Sequence, residues 1–250
     1  MFETTKALVL REVKYKEADR ILTLFTADNG KITAKARGAL RKGSRTAAAT
    51  QQLCWSDMTL FFNKGKWTVN EASVIEAFDG LKTNIASFAL GSYIAECVEA
   101  LSVEDQKDAE LLSLALNSLY ALSRGLHDPR KIKAAFDLRL MSLSGYRPSV
   151  EHCSACGAEQ PHDPVFDLVD GRLFCRKCCR RGSAVSLDEK ALAAMRFVLS
   201  APPRQVFSFD LAGDALVTLG FAAENYLLTQ TERSFGTLDY YKQFKTESLG

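Results

Sequence analysis

The sequence predicts an α+β protein of several domains, in which an N-terminal β-barrel is followed by an α-helical domain with an inserted four-cysteine module. Three observations lead to this prediction. Residues 1–80 consist of short apolar-alternating runs joined by tight-turn signals, whereas a helical spacing of apolar residues follows them. Residues 151–182 then hold five of the seven cysteines. The predicted segments are therefore 1–80, 81–150, 151–182 and 183–250.

The first segment is predicted to be a small barrel. Its strands are expected at residues 6–15, 20–26, 31–37, 58–62 and 67–75. Asp28-Asn29-Gly30 and Asn63-Lys64-Gly65 are hairpin signals, because Asn and Gly tolerate the positive φ of tight turns. Short strands without an intervening helix favour a closed barrel, since closure removes exposed strand edges. An OB-fold, a frequent nucleic-acid-binding domain, is the first interpretation, and an SH3-like barrel is the alternative.

The helical domain is predicted from periodicity and from helix-start signals. Helices are expected at residues 84–101, 107–122, 128–144, 186–199 and 211–231. Asn84 is a candidate N-cap, Asp128-Pro129 is a start signal, and Ser186 with Glu189 has the pattern of a capping box. Each helix has one apolar face and would be marginally stable alone, so the helices are expected to pack against one another.

Two C-x2-C pairs dominate the third segment. Cys153 and Cys156 form the first pair, Cys175 and Cys178 form the second, and the eighteen residues 157–174 separate them. This is the spacing of a four-cysteine zinc site, in which two turns supply a tetrahedral set of thiolates. Alternating apolar residues on both sides of Asp170-Gly171 predict a small hairpin between the pairs. The segment is therefore predicted to be a zinc ribbon.

Other interpretations of the cysteines are weaker. Disulfides are disfavoured, because no signal peptide is evident and thiols stay reduced in the cytosol, where a soluble protein is expected. A redox C-x-x-C would need a βαβ context. Cys179 is an alternative to Cys178, and His152 and His162 are second-choice ligands. A closed four-thiolate site leaves no open coordination position, so the zinc is expected to be structural.

Positive charge is concentrated in the predicted barrel. Residues 1–80 carry a net charge of +4, whereas the whole chain carries +2. Residues 31–50 contain no acidic residue and six cations, namely Lys31, Lys35, Arg37, Arg41, Lys42 and Arg45. The second half of this stretch is rich in Gly, Ser, Ala and Thr, so a mobile loop is expected there. Such a loop on an OB barrel flanks the nucleic-acid groove and contacts phosphates without sequence preference. A merely solvated face is the alternative.

Aromatic residues near the same strands are candidates for base stacking. These are Phe61, Phe62 and Trp67. Packing inside the barrel is the alternative explanation for them. No phosphate loop, dinucleotide-binding motif or nucleophile elbow is present, and the chain has three histidines. No enzyme is indicated, although a metal-dependent nuclease built from scattered carboxylates and a zinc-ribbon transcription or RNA-binding factor remain as alternatives.

Several of these motifs together resemble the RecO family, the bacterial recombination mediators of the RecFOR pathway. The resemblance covers nearly the whole chain. It is carried by Asn29-Gly30-Lys31, residues 36–45, residues 136–148, the cysteine pairs and the closing residues 232–244. The family more usually has Lys-Ser near Leu238-Asp239, so the chain departs from the family pattern in its tail.

The resemblance implies a non-enzymatic, cytoplasmic and nucleoid-associated DNA-binding protein. It would bind single- and double-stranded DNA and anneal complementary strands. With RecR, it would help load RecA onto strands coated by single-stranded-DNA-binding protein (SSB). The resemblance also implies contact with the acidic C-terminal tail of SSB, for which Arg139 beside Phe136, Leu140 and Leu143 is a candidate. An arginine that extends from a packed helix to solvent is the alternative.

Overall fold

The computed structural model of the chain describes residues 1–180 and 182–245. Arg181, which belongs to the predicted 151–182 segment, and residues 246–250 of the 183–250 segment lie outside the described residues. The described chain forms two compact units. One comprises Met1–Arg124 with the C-terminal segment from Phe235, and the other comprises Gly125–Ser234. Among the helices that the structure describes, none combines the length and the apolar content that a membrane-spanning segment requires.

The first unit begins with a closed barrel. Its strands are β1 (Phe2–Tyr15), β2 (Asp19–Thr26), β3 (Gly30–Ala36), β4 (Trp55–Asn63) and β5 (Lys66–Glu76). The strand order is β1-β2-β3-β5-β4, and β4 pairs with β1 to close the barrel. The β3–β5 pair is parallel, whereas the other pairs are antiparallel. This topology confirms the predicted OB-type barrel.

Alternation along the strands explains the barrel. In β3, Ile32, Ala34 and Ala36 are buried, while Lys31 and Lys35 on the opposite face are only half-buried. The inward residues join Val9, Leu22, Leu24, Met58 and Leu60 in one core cluster. A register shift between Val9 and Arg11 marks a bulge in the long strand β1, and bulges bend a strand in the way that barrel closure requires.

The helices of the described residues are α1 (Ile85–Leu101), α2 (Ala109–Ser123), α3 (Pro129–Leu143), α4 (Glu189–Ser200), α5 (Gly213–Thr231) and α6 (Gly236–Lys245). Asn84 accepts hydrogen bonds from the N–H groups of Ala86 and Ser87, and Asp128 accepts one from Arg130 N–H. Both predicted N-caps are thus confirmed. In the first unit, α6 follows Phe235, whose ring lies edge-on to Tyr93 of α1 at 5.9 Å.

The second unit combines α3, α4 and α5 with a small sheet. This sheet contains β6 (Pro164–Asp167), β7 (Arg172–Cys175) and β8 (Ala184–Ser186) in the order β7-β6-β8. The β6–β7 hairpin confirms the hairpin predicted between the cysteine pairs. The predicted capping box is wrong, because Ser186 ends β8 and pairs with Val165, whereas Asp188 caps α4 through the N–H of Ala191.

A buried ionic group links α3 to α5 within the second unit. Lys133 Nζ lies 2.7 Å from Asp137 Oδ2 and 2.9 Å from Glu224 Oε2. The Lys133 side chain is 5% exposed and that of Asp137 is 0% exposed. The two carboxylates raise the pKa of Lys133, although burial alone would lower it. The lysine therefore stays charged and compensates two acidic groups inside the packed helices.

Candidate nucleic-acid interface and metal centre

The segment between β3 and β4, residues 37–54, carries most of the predicted DNA contacts and is structured. It consists of successive hydrogen-bonded turns, including Arg41 N–H to Gly38 O at 3.0 Å and Ser44 N–H to Arg41 O at 3.1 Å. Ala39, Ala49 and Leu53 are buried within it. The composition led us to expect a mobile loop, but these apolar side chains anchor the turns. We call residues 37–54 the β3–β4 segment.

Hydrogen bonds tie the β3–β4 segment to the turn between β1 and β2 and to the first residues of β2. The Arg20 guanidinium donates to Ala47 O at 2.8 Å and to Thr50 Oγ1 at 2.9 Å. Leu40 N–H donates to Ala18 O at 2.9 Å, and Gly38 N–H donates to Asp19 Oδ1 at 2.8 Å. Because the backbone is held at both places, the cations of the segment project from a fixed surface.

The six predicted DNA-contacting cations fall into two groups. Four of them, on the β3–β4 segment, are exposed, namely Arg37, Arg41, Lys42 and Arg45. The two strand lysines are half-buried and engaged. Lys31 Nζ donates to Glu99 O of α1 at 2.9 Å, and Lys35 Nζ lies 2.9 Å from Asp19 Oδ2. Asp19 accepts hydrogen bonds from the Lys35 ammonium and from Gly38 N–H, and these two bonds lower the pKa of its carboxyl group. The exposed group is therefore the better placed to contact phosphates.

The three predicted stacking residues lie together around the β4–β5 turn. Phe62 and Trp67 are cross-strand partners with ring centroids 4.7 Å apart, and Phe61 packs against Phe2 at 4.8 Å. Trp67 also packs against the barrel core, while Phe62 is 37% exposed. Much of this aromatic surface is thus used within the fold, and Phe62 is the most exposed of the three predicted stacking residues.

Sequence reasoning missed Tyr15, which ends β1. Its side chain is 42% exposed. The ammonium groups of Lys35 and Lys16 lie 4.9 Å and 5.6 Å from the centre of its ring. An available signal was the run Lys14-Tyr15-Lys16 at a predicted strand end, because surfaces that bind single strands combine aromatic rings with cations.

The structure brings four cysteine sulfurs to one point. The Sγ atoms of Cys153, Cys156, Cys175 and Cys178 all lie within 4.8 Å of one another. The sulfurs of Cys156 and Cys175 are 3.8 Å apart. Sulfurs about 2.3 Å from a tetrahedral zinc ion would be about 3.8 Å from each other. The cluster thus has the dimensions of a four-thiolate metal centre, and no disulfide joins the described cysteines.

Local structure explains how the sulfurs converge. The turn after Cys153 is closed by Gly157 N–H to Cys153 O at 2.9 Å, and that after Cys175 by Cys178 N–H to Cys175 O at 2.9 Å. The β6–β7 hairpin brings the second turn back to the first, where Cys175 N–H donates to Cys153 Sγ over 3.3 Å. Such N–H···S contacts are typical of cysteine knuckles, since they stabilise negative charge on sulfur.

The surroundings of Cys153 and Cys178 shift the pKa values of these two thiols in opposite directions. Burial opposes ionisation of Cys153, but the N–H groups of Cys156, Cys175 and Ala155 outweigh it and lower the pKa of Cys153 to about 6. The hydrogen bond with Cys156, together with burial, raises the pKa of Cys178 to about 12. Thiolates this close together repel one another electrostatically. A bound metal cation would offset this repulsion and stabilise the deprotonated form of all four cysteines.

The structure also separates the alternative ligands. Among the described residues, the sulfur group includes Cys178 and does not include Cys179. His162 Nδ1 lies 2.9 Å from Asp163 Oδ2, and His152 is exposed outside the group. With four sulfurs and no open position, the centre fits a structural metal ion.

Arg139, the predicted contact for the SSB tail, makes a structural hydrogen bond. Its Nη1 atom donates to Leu199 O at 3.0 Å, and Arg147 Nη1 donates to the same oxygen at 2.6 Å. Phe136 and Leu140, the apolar residues predicted to line a pocket beside it, are both 0% exposed. The two arginines thereby satisfy a carbonyl near the C-terminal end of α4, where helix carbonyls lack partners within the helix.

Comparisons with known proteins identify the family to which the chain belongs. Residues 1–78 match the family described as Recombination protein O N terminal, and residues 82–239 match Recombination protein O C terminal. A DNA repair protein RecO of Acetivibrio thermocellus is 34% identical over 239 residues, covering 95% of both chains. That of Symbiobacterium thermophilum is 32% identical over 237 residues, covering 93% of this chain and 94% of the relative. The chain therefore belongs to the RecO family of DNA repair proteins.

Proposed function

We propose that this protein is a non-enzymatic, DNA-binding recombination mediator that acts in DNA repair. The observation that carries the proposal is the fixed surface of four exposed cations, Arg37, Arg41, Lys42 and Arg45, on an OB barrel of a RecO-family chain. OB folds bind oligonucleotides beside such connecting loops. The side chains contact phosphates, which single- and double-stranded DNA share, so the protein binds both.

Annealing follows from this charge. Cations that neutralise phosphates on two strands reduce the repulsion between the strands, and release of their counterions drives binding at low salt. Base pairing then supplies the sequence specificity that the protein lacks. In this proposal, no bond is made or broken by the protein, and the four exposed cations act only by holding two DNA backbones close together.

The metal centre has a structural role in the proposal. Zn²⁺ is the ion that the four cysteines would hold, because it accepts four thiolates in tetrahedral geometry without a redox change. Cys153 and Cys156 precede the β6–β7 hairpin, whereas Cys175 is the last residue of β7 and Cys178 lies just after it. The ion therefore joins the two ends of the hairpin, and its binding free energy adds to the folding of the second unit.

Protein partners complete the proposed function. The protein would act with RecR to load RecA onto strands coated by SSB, and its contact with RecA would be indirect. It would also capture the acidic C-terminal tail of SSB. Arg139 is the proposed cation for the tail carboxylate. Because Arg147 donates to the same Leu199 carbonyl, Arg139 could turn to a ligand while that carbonyl keeps a donor.

Salt dependence tests the DNA surface. Alanine replacement of Arg37, Arg41, Lys42 and Arg45 together should weaken binding to a labelled oligonucleotide, measured by fluorescence anisotropy. On duplex DNA, the slope of log affinity against log salt should fall by about 0.9 for each phosphate that the variant no longer neutralises. The matched control replaces four exposed cations elsewhere, Lys82, Lys107, Lys190 and Arg204, which changes the net charge equally. Equal behaviour of the two variants would remove the β3–β4 segment from the proposal.

Strand annealing tests the mediator function itself. Complementary strands coated with SSB should anneal faster with the protein than without it, and the β3–β4 variant should lose this acceleration. Labelled DNA should stay intact in Mg²⁺, whereas cleavage would favour a metal-dependent nuclease. A strong preference for RNA or for one duplex sequence would favour a transcription or RNA-binding factor.

A further inference from the structure

The outward face of β1, β2 and β3 is covered at one end and open at the other. Glu99 of α1 covers the first end, where its carboxylate lies 2.8 Å from Arg11 Nη2 and its carbonyl accepts from Lys31 Nζ. At the other end, Val13 is 47% exposed and Tyr15 is 42% exposed. Both belong to the face opposite the barrel core, because Val13 pairs with Ile21, the neighbour of the core residue Leu22, and Tyr15 lies two positions after Val13.

Strand register extends this open end across the sheet. Val13 pairs with Ile21, and Ile21 pairs with Lys35, so these three side chains form one cross-strand row. Tyr15 pairs with Asp19 in the next row toward the turn. The result is an apolar strip that is bordered by a lysine. We call Val13, Tyr15, Ile21 and Lys35 the open strip.

Cations surround the aromatic ring of the open strip. Lys35 Nζ lies 4.9 Å from the centre of the Tyr15 ring and is held there by Asp19 at 2.9 Å. Lys16 Nζ lies 5.6 Å from the same ring. Leu40 N–H to Ala18 O then joins the turn after Tyr15 to the β3–β4 segment. The ring is thus part of the same positively charged surface as the exposed arginines.

A planar aromatic surface beside two lysine ammonium groups suits one class of ligand. Phosphates bind the cations, and an unpaired base can stack on the ring, whereas in a duplex the base faces are already stacked on one another. An apolar partner without negative charge would make no use of the Lys16 ammonium beside the ring. The two features together favour a polyanion that carries accessible aromatic bases.

We propose that Tyr15 is a base-stacking residue that gives this surface a preference for single-stranded over double-stranded DNA. The proposal rests on the proposed DNA-binding function and adds a specificity-determining residue to it. Cations of the β3–β4 segment bind phosphates of either form of DNA, so they provide affinity without discrimination. Stacking on Tyr15 contributes only where a base is unpaired.

The test compares Tyr15→Leu with Tyr15→Phe and with Tyr120→Leu. Tyr120 is a matched control, since it is 46% exposed and has the Arg124 guanidinium 5.4 Å from its ring. Binding of an oligothymidylate, an abasic strand of the same length and a duplex is measured by anisotropy. Tyr15→Leu should weaken oligothymidylate binding about fivefold or more, as the loss of one stacked base implies. Tyr15→Phe and Tyr120→Leu should bind like the unchanged protein.

The remaining ligands separate stacking from other effects. Tyr15→Leu should leave abasic-strand and duplex binding unchanged, and its salt slope should match that of the unchanged protein because no cation is removed. Equal losses on all three ligands, or no loss on oligothymidylate, would overturn the stacking role of Tyr15. If the unchanged protein binds none of these ligands at low salt, the proposed DNA-binding function itself fails.

Discussion

The hydroxyl of Tyr226 donates a 2.9 Å hydrogen bond to the main-chain carbonyl of Tyr146. The same ring lies edge-on to Phe166 of β6, with centroids 5.1 Å apart. It also closes over the β6–β7 turn, where a Cβ atom on Gly171 would lie 2.5 Å from the Tyr226 hydroxyl. One side chain of α5 therefore holds both the chain after α3 and the turn of the cysteine hairpin.

Removing this hydroxyl should destabilise the protein without changing its metal content. We expect Tyr226→Phe to lower the free energy of unfolding by about 1 kcal/mol, the usual net value of one hydrogen bond. Urea unfolding followed by circular dichroism measures the change, and Tyr120→Phe, on an exposed ring, is the control. A Tyr226→Phe protein as stable as the control would show that the hydrogen bond contributes nothing.

The contribution of the Tyr226 hydroxyl should also depend on pH. Burial raises the pKa of Tyr226 to about 12 from 10.0, so the folded state favours the protonated form. A group with a raised pKa stabilises the fold fully below pH 10 and loses that effect as the pH rises toward 12. The difference between the unchanged protein and Tyr226→Phe should therefore shrink over that range. A difference that grows with pH would contradict the assignment.

The parts of the fold that could be predicted depend on local signals. Alternation in β3 and the Asn29-Gly30 turn predicted the barrel, and Asn84 predicted the start of α1. In contrast, β8 has three residues, Ala184–Ser186, and is a strand only because it pairs with β6. The start of α6 is capped by Glu96 of α1, which accepts from Thr237 N–H across 141 positions of sequence. Such contacts between distant residues leave no local pattern.

The candidate sites, too, could be predicted only as far as local sequence signals reach. Composition pointed to the six cations, but it did not distinguish the engaged Lys31 and Lys35 from the exposed residues of the β3–β4 segment, because their partners Glu99 and Asp19 lie on other elements. Spacing predicted the cysteine cluster. It favoured Cys178 and kept Cys179 as an alternative. The N–H groups of both donate to Cys175 O in the turn, so only the folded turn decides which sulfur faces the others.

Substitution of the two adjacent cysteines should therefore have unequal effects. We expect Cys178→Ser to lose bound zinc and to lower the melting temperature, because a structural metal adds its binding free energy to folding. Cys179→Ser is the matched control and should keep its metal. Metal content is measured by mass spectrometry of the purified proteins, and melting by circular dichroism. Loss of zinc from Cys179→Ser alone would assign the fourth ligand to Cys179. The structural zinc would be contradicted if the protein without substitutions contained no metal and melted at the same temperature as Cys178→Ser.

Two hairpin glycines allow steric contact to be separated from backbone strain. Gly30 and Gly65 have φ of +63° and +75°, which favour glycine equally. A Cβ on Gly30 would lie 1.8 Å from Gln106 O, whereas a Cβ on Gly65 would meet nothing within 4 Å. Gly65→Ala should cost about 1 kcal/mol from strain alone. Gly30→Ala should cost more, since the backbone at Gln106 must move. Thermal unfolding measures both, and equal costs would mean that this close approach is not required.

The buried ionic group of α3 and α5 supports a last prediction. Lys133→Met should lower the free energy of unfolding by about 3–5 kcal/mol, because the buried Asp137 and the largely buried Glu224 would lose the Lys133 ammonium. Lys82→Met is the control and should change it by less than about 1 kcal/mol, since its partner Asp79 is 81% exposed. Replacing Asp137 and Glu224 by Leu and Met in the Lys133→Met protein should restore much of the stability, as the charges of all three side chains are then removed. Urea unfolding of the three proteins decides between uncompensated charge and poorer packing as the cause. A triple variant no more stable than Lys133→Met would show that the packing of these side chains, and not their charge, holds α3 against α5.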